Sequence, residues 1–403
     1  MGNWLSHFTA KTNYVKKILA ALLLVVIPAS ASAADLPQRF YVTGSGFGHG
    51  VGLSQMGARG LALEGKSAPE ILNYFFPGTA ISNDIPLGDI KVNIAHATTY
   101  VTLSNSTGTI SLNRPDGTTA TIIAVGSTLK FAAVTKVISP TVATPKQKSI
   151  VIPALSGWNV TWDTGSVVTV NNGGATTKLS YGQINLKSVA NKIELTTTMR
   201  LNDQYVYGIS EMSSSWPDAA MQSQAIASRT YGLSRMGSIR RECDCNIYNT
   251  KFDQNYVGFS KESEAKYGAL WKAAVDATSG QVLTYQGRAI NVYFSSSTGG
   301  TTQKAADVWG SDFPYLTNVP DPWSLDVVLN PQYAHWVRVI SQKDMAKAFG
   351  LPDVVSVRID SRTVSNSALS LTATSSMGTT AQLLVGVFKT KLLIPASWFE
   401  ITN

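Results

Sequence analysis

Apolar and polar residues alternate through the middle of the chain. From residue 90 to about 195, short runs such as "VTLSNS", "TISLNR", "LKFAAV" and "VVTVNN" are separated by turn signals at Pro115-Asp116-Gly117 and Asn171-Asn172-Gly173-Gly174. A period of two sends successive side chains to opposite faces of a strand, so this stretch is expected to form a β sandwich or barrel-like module. On either side the period lengthens. Helices are expected over 53–64 and 68–75, with Gly65 as a stop between them and Pro77-Gly78 as a closing turn. Beyond Met199, "LNDQYVYGIS" predicts a short helix and "SWPDAAMQSQAIASRTYGLSRMG" a longer one. Pro217 suits its first position, Asp218 the positive end of its dipole, and Gly237 its end. Strands are expected again at "QVLTY" and "AINVYFSSSTGG", a helix at "SQKDMAKAFG", then strands to the end.

The fold class implied is α+β, a mixed core of short helices and antiparallel strands with a preceding or inserted β-rich module. It divides into 1–33, 34–84, 85–195, 196–330 and 331–403, the last completing the core.

Residues 1–33 carry a different pattern. Lys11, Lys16 and Lys17 precede an apolar run from Ile18 to Ile27, then Pro28 and "ASASAAD". This reads as a signal peptide cleaved after Ala33, the run being too short to span a bilayer. Export is therefore expected, to the cell wall or the medium, with no integral span afterwards. Loss of the three lysines takes the formal charge from +8 to +5. No dense Lys/Arg stripe accompanies that charge, so a carbohydrate or polyanionic setting is expected and a nucleic-acid partner is not.

"GSGFGHGVGLSQMGARG" places a glycine at every second position from Gly44 to Gly52, around His49. Neither G-x-G-x-x-G nor G-K-[ST] is present, which argues against a nucleotide-phosphate loop. In an extended segment, alternate glycines would strip one face bare for a close approach by backbone or a flat ligand.

Among groups that could do chemistry, Glu211 stands out at a junction between two helices, beside Met212 and Trp216, where burial would raise its pKa towards that of a general acid. The spacing equally admits a capping or salt-bridging glutamate. Arg229 and Tyr231 lie in the following helix; an arginine among alanines needs a buried partner, for which Glu211 is a candidate. His96 is read as structural. No G-x-S-x-G is found, so a serine triad is not indicated. Cys243 and Cys245 lack zinc-site spacing; they are read first as inert thiols, with a disulfide, or a metal site shared with His49, as alternatives.

"YVYGISEMSSSWPDAAMQSQAIASRTYGL" closely resembles the signature of the SpoIID/LytB family, and "DQNYVG", "AVDATSGQVLTYQGRAI", "YFSSSTGG" and "DVWGSDFPYLTNVPDPW" follow in the family's order. "GFGHGVGLSQMGARG" is similar to its glycine-histidine motif, which here precedes the core instead of following it. The resemblance implies a peptidoglycan lytic transglycosylase that cuts the bond between N-acetylmuramic acid and N-acetylglucosamine, with Glu211 as acid/base. It equally admits a non-catalytic amidase enhancer that binds glycan, with a cell-wall amidase as partner. Some members bind zinc through His and Cys, but Ser295-Ser296-Ser297-Thr298-Gly299-Gly300 lacks the histidine of the family's strand end. No cofactor is therefore expected, zinc being the alternative. Trp216, Ser296, Ser297, Thr298, Gly299, Gly300 and Trp309, together with Arg229 and Tyr231, are candidates to hold sugar rings. The glycine face is expected to form a groove wall, with His49 and Gln55 offering hydrogen bonds.

Overall fold

A computed structural model describes residues 36–403, and the segment read as a signal peptide lies outside them. Among the described residues no helix is long and apolar enough to cross a membrane. The architecture is α+β.

The alternating stretch folds as expected into two packed antiparallel sheets. One runs in the order 119–123, 110–113, 157–162, 183–189, 192–200 and 89–98, with the short strand Ile247–Tyr248 added in parallel to 89–98. The other runs 150–151, 137–143, 128–134, 100–105, 168–171 and 176–179. Inward residues of both, among them Leu103, Phe131, Trp158, Val160 and Ile184, are at most 2% exposed and share one core.

Helices α1 (Gln55–Leu63) and α2 (Ala68–Phe75) fall close to their expected spans. Ser54 caps α1, its hydroxyl accepting from the Gly57 N–H, and Ser67 with Glu70 forms a capping box on α2. The expected short helix after Met199 is a π turn, Leu201–Tyr205. Next comes α3 (Asp218–Arg235), led by Pro217. Its small residues let it sit between two cores: Met221 and Ala225 pack towards the sandwich, Ala220, Ile226 and Ala227 towards α1 and α2. Helices α4 (Phe259–Glu262), α5 (Gly268–Ala277) and α6 (Ala305–Trp309) follow, and α7 (Gln342–Phe349) and α8 (Val385–Leu392) belong to a third core. There the strand Arg39–Ser45 lies between Trp336–Ser341 and Trp398–Thr402, with Phe40 opposite Ile340 and Tyr41 opposite Thr402. The chain's last strand thus anchors the segment that leads into the alternating glycines.

Those glycines do not form an extended strand. Gly46, Gly48, Gly50 and Gly52 all have positive φ, from +70° to +111°. A Cβ on Gly46 would lie 2.7 Å from the Thr298 carbonyl oxygen, on Gly48 2.9 Å from the Ser295 Cβ, and on Gly52 2.2 Å from the Tyr293 carbonyl oxygen. Gly44 and Gly50 meet the indoles of Trp336 and Trp398 in the same way. The glycine face is therefore spent on protein packing, and the intervening side chains are left to face elsewhere. Gly52→Ala is expected to cost about 3 kcal/mol in urea unfolding, the sum of left-handed strain and overpacking against rigid backbone.

Candidate active site

Two adjoining clefts, of about 690 and 490 Å³, share Gln55, Glu211 and Ser296. Glu211 is thus at the waist of a groove open on both sides. One half is lined by Phe47, His49, Tyr231, Arg235, Lys251, Phe252, Tyr293 and Trp309. The other is lined by Met56, Ser210, Ser213, Trp216, Lys261 and Glu264.

The segment carrying Glu211 is not a helix but an irregular turn, and it is pinned by hydrogen bonds. Ser210 donates its N–H to the Asn255 carbonyl, and the Asn255 side-chain amide donates to the Ser210 carbonyl at 2.8 Å. The Asn255 N–H donates to Glu211 Oε1 at 2.6 Å. On the other flank, the buried Lys261 ammonium donates to the Met212 carbonyl at 2.9 Å and pairs with Glu264. Glu211 Oε2 accepts no hydrogen bond among the described residues. Burial raises the Glu211 pKa above the ordinary glutamate value, and the Asn255 N–H opposes that shift in part. A carboxyl held this way can lend a proton from Oε2 and have its anion steadied at Oε1.

Two other acids line the groove, and both are engaged. Asp253 accepts the Arg240 fork at 2.8 Å through both oxygens, the Tyr231 hydroxyl at 2.9 Å and the Tyr248 N–H. Glu264 accepts from Ser214 and Lys261.

His49 is half-buried and neutral: burial, then the nearby Lys389 ammonium, pushes its pKa down to about 4. Its Nδ1 accepts the Val51 N–H at 3.0 Å. Nδ1 is thus committed to the fold, and the ring lines the groove edge-on to Trp309 at 4.9 Å. Gln55 donates to Gln224 at 3.2 Å at the groove floor. Trp309, 46% exposed, also contacts Tyr293 at 4.6 Å, and Trp216 carries the Arg59 guanidinium over its ring at 5.2 Å.

Several expectations are corrected. Arg229 does not meet Glu211. It is fully buried and donates to the carbonyls of Asn202, Gln281 and Val275 at 2.8, 3.0 and 3.3 Å. The last of these lies in the final turn of α5, whose negative end suits a cation; burial brings the Arg229 pKa down to about 10. Ser297 and Thr298 are 0% exposed, and neither lines the groove. Thr298 donates to Asp321 at 2.8 Å. Gly299 lies under the Trp398 indole, and Gly300, at φ +108°, donates its N–H to the Thr298 hydroxyl. Of that run, Ser295 and Ser296 reach the groove. The glycine motif contributes Phe47, Gly48 and His49 to the wall, while Gly46, Gly50 and Gly52 are packed against protein instead of forming a bare glycine face. Cys243 and Cys245 are joined in a buried disulfide, Cα atoms 5.2 Å apart, instead of remaining free thiols, so neither is free as a metal ligand. No group of three His, Cys, Asp or Glu side chains gathers among the described residues.

Phe47, Tyr293, Arg235, Lys251 and Phe252 were not singled out from the sequence. Arg235, Lys251 and Phe252 come from a helix end and a loop with no motif of their own, whereas Phe47 and Tyr293 stand inside the glycine-histidine and YFSSSTGG strings. The signal available for Phe47 was its place between two glycines, which sets it on the face opposite theirs.

Residues 190–285 match the family model described as SpoIID, stage II sporulation protein. That span contains Glu211, Trp216 and the Lys251 loop, whereas the glycine-histidine segment and Ser296 lie outside it. An uncharacterised protein of Brachyspira hyodysenteriae is 31% identical over 147 residues, covering 36% of this chain and 37% of its own. The amidase enhancer of Bacillus subtilis is 36% identical over 106 residues, 26% of this chain and 13% of its own. Stage II sporulation protein D of Bacillus subtilis is 30% identical over 133 residues, 30% of this chain and 38% of its own. The chain spans less than two fifths of the length of each.

Two outcomes follow for stability. Arg229→Lys cannot reach three diverging carbonyls and is expected to lose about 2 to 3 kcal/mol in urea unfolding. Glu211 has a folded pKa above its unfolded one, so the stability it supplies is present at low pH and lost as pH rises through the raised value. Glu211→Gln is therefore expected to melt higher than the parent at neutral pH, with the gap closing below the ordinary glutamate pKa; calorimetry across pH checks this.

Proposed function

For this chain, which carries a SpoIID/LytB family domain, we propose exported cell-wall remodelling by a peptidoglycan lytic transglycosylase. The observation that carries the reading is one half-buried carboxyl, Glu211, at the waist of an aromatic-lined groove whose other acids are already bonded. Hydrolytic glycosidases commonly use two free carboxylates, one for the leaving oxygen and one for water or covalent attack. A lytic transglycosylase manages with one.

Glu211 protonates the oxygen between N-acetylmuramic acid and N-acetylglucosamine, and the muramoyl C1–O bond breaks. The same sugar's 6-hydroxyl oxygen then bonds to C1, and its proton passes to the Glu211 carboxylate. The product is a 1,6-anhydro muramic end and a free N-acetylglucosamine 4-hydroxyl, with Glu211 reset. Because nucleophile and electrophile belong to one sugar, positioning supplies much of the advantage. The Asn255 N–H on Oε1 steadies the anion between the two transfers. Trp309, Tyr293 and Trp216 present ring faces and edges to sugars on either side.

A second reading is a glycan-binding protein that enhances a cell-wall amidase and cuts nothing, favoured by the likeness to the protein of that name. Purified protein incubated with glycan strands freed of stem peptides separates the two. We expect 1,6-anhydro ends by mass spectrometry, lost by about 10²- to 10⁴-fold in Glu211→Gln. The acid must hold its proton at the start of the cycle, so kcat/KM is expected to fall as pH rises through the raised Glu211 pKa. Ordinary reducing ends would identify a hydrolase, and strands bound but uncut by both proteins would favour the enhancer.

A further inference from the structure

The two halves of the groove differ in charge. In the half that holds Trp216, the Lys261 ammonium is paired with Glu264 and hydrogen-bonded to the Met212 carbonyl. Arg59, behind Trp216, donates to the Leu329 carbonyl at 2.9 Å. Arg59 has no acidic partner among the described residues but lies outside the lining, so the side chains that line that half carry no unpaired cation.

The other half is lined by two cations, Arg235 and Lys251, neither of which has an acidic partner among the described residues. Asp253, which lines the same cleft, is already engaged: its side chain is 2% exposed and holds both arms of the Arg240 fork. Arg235 lies with its guanidinium 4.9 Å from the centroid of the Tyr231 ring, and its Nε is buried without an acceptor. A groove-lining arginine with a buried unmet donor is costly to the unliganded protein, since such donors normally find partners. Lys251 is exposed beside Phe252, whose ring is 84% exposed at the rim. An exposed aromatic next to an unpaired cation suits a ring with an apolar face and an attached anion. Arginine and lysine converging on one cleft favour a carboxylate of that kind.

We propose that Arg235 and Lys251 form a subsite for the lactyl carboxylate of a muramic acid residue, with Phe252 against the sugar ring. The inference rests on the glycan reading of the same groove and adds the chemical group that it recognises. Neutral oligomers of N-acetylglucosamine have the same backbone and acetamido groups but no such carboxylate, so they lack the feature selected.

The test uses the Glu211→Gln protein, so that strands are not consumed, and compares its affinity for peptide-free glycan strands with that for the same strands methyl-esterified at the lactyl carboxylate. Esterification keeps the sugars and removes the charge. We expect affinity to fall about tenfold on esterification, the worth of a charge-assisted contact in a partly open cleft. Adding Arg235→Gln and Lys251→Gln together is expected to bring native strands to the affinity of esterified ones. Lys251→Gln alone, on an exposed loop where folding is not at stake, is expected to remove part of the difference. Equal affinity for native and esterified strands, or a preference that survives both substitutions in a folded protein, overturns the subsite. If the parent still yields 1,6-anhydro ends in that case, the proposed function stands without it. Failure of any strand to bind the parent overturns both.

Discussion

The backbone of residues 46–52 lies against that of residues 293–298 at a separation no side chain can share. Everything at the groove depends on this contact. The Phe47 N–H donates to the Ser297 carbonyl, the Leu53 N–H to the Tyr293 carbonyl and the Met56 N–H to the Ser296 carbonyl, so glycine segment and core strand are stitched together along their length. Leu53–Ser54 runs parallel to Phe294–Ser295 and delivers Gln55, at the start of α1, to the groove floor. The register is set by glycines alternately turned inward, and it turns Phe47 and His49 outward to the wall. The cost is backbone that only glycine adopts without strain, at four positions within seven residues.

A second constraint fixes the opposite wall. Buried Arg229 gathers the carbonyls of Asn202, Val275 and Gln281, tying α3 to the π turn, to the end of α5 and to the entry of the strand Val282–Tyr285. A cation of this kind is stable because three carbonyl dipoles and the end of α5 replace its water. Two residues on, Tyr231 begins the chain of bonds that runs through Asp253 to Arg240 and the Tyr248 N–H. That chain holds the loop from which Lys251 and Phe252 line the groove and Asn255 reaches Glu211. The arginine and tyrosine of one helix turn therefore shape the site from behind, Tyr231 alone also reaching its lining.

How much of this was legible follows from the range of the interactions. Local signals carried furthest: the spans of α1 and α2, the proline entry of α3 and the alternating strands of the sandwich are set by residues within a few positions of one another, although the Ser54 and Ser67 caps were not singled out. Glu211 was legible because its neighbours form a distinctive string. What was missed depends on contacts distant in sequence. The positive φ of the glycines is forced by residues 293–298, about 250 positions away. The partners of Arg229 lie as far as 52 positions away, and no spacing rule connects them. Ser297 and Thr298 looked as available as Ser296, yet the pairing of Phe47 with Ser297 carries them beneath the glycine segment. Cys243 and Cys245 come together across Asp244, held at φ +50° with its carboxylate taken by Lys91 and Lys187. Tertiary context made that turn, not the two-residue spacing.

The waist of the groove shows what such distant contacts achieve. A glutamate buried without help would have its proton held tightly, and a fully solvated one would give it up before substrate arrived. At Glu211 the two tendencies are set against each other by different parts of the chain. Burial raises the pKa, while the Asn255 N–H on Oε1 draws it back and leaves Oε2 unbonded. Asn255 is held for this by its side-chain bond to the Ser210 carbonyl and by the Ser210 N–H on its own carbonyl, and Lys261 pins Met212 on the other flank. The carboxyl is thus held at both ends of its short segment before any ligand binds. Positioned groups contribute most to catalysis when that ordering has already been done by folding.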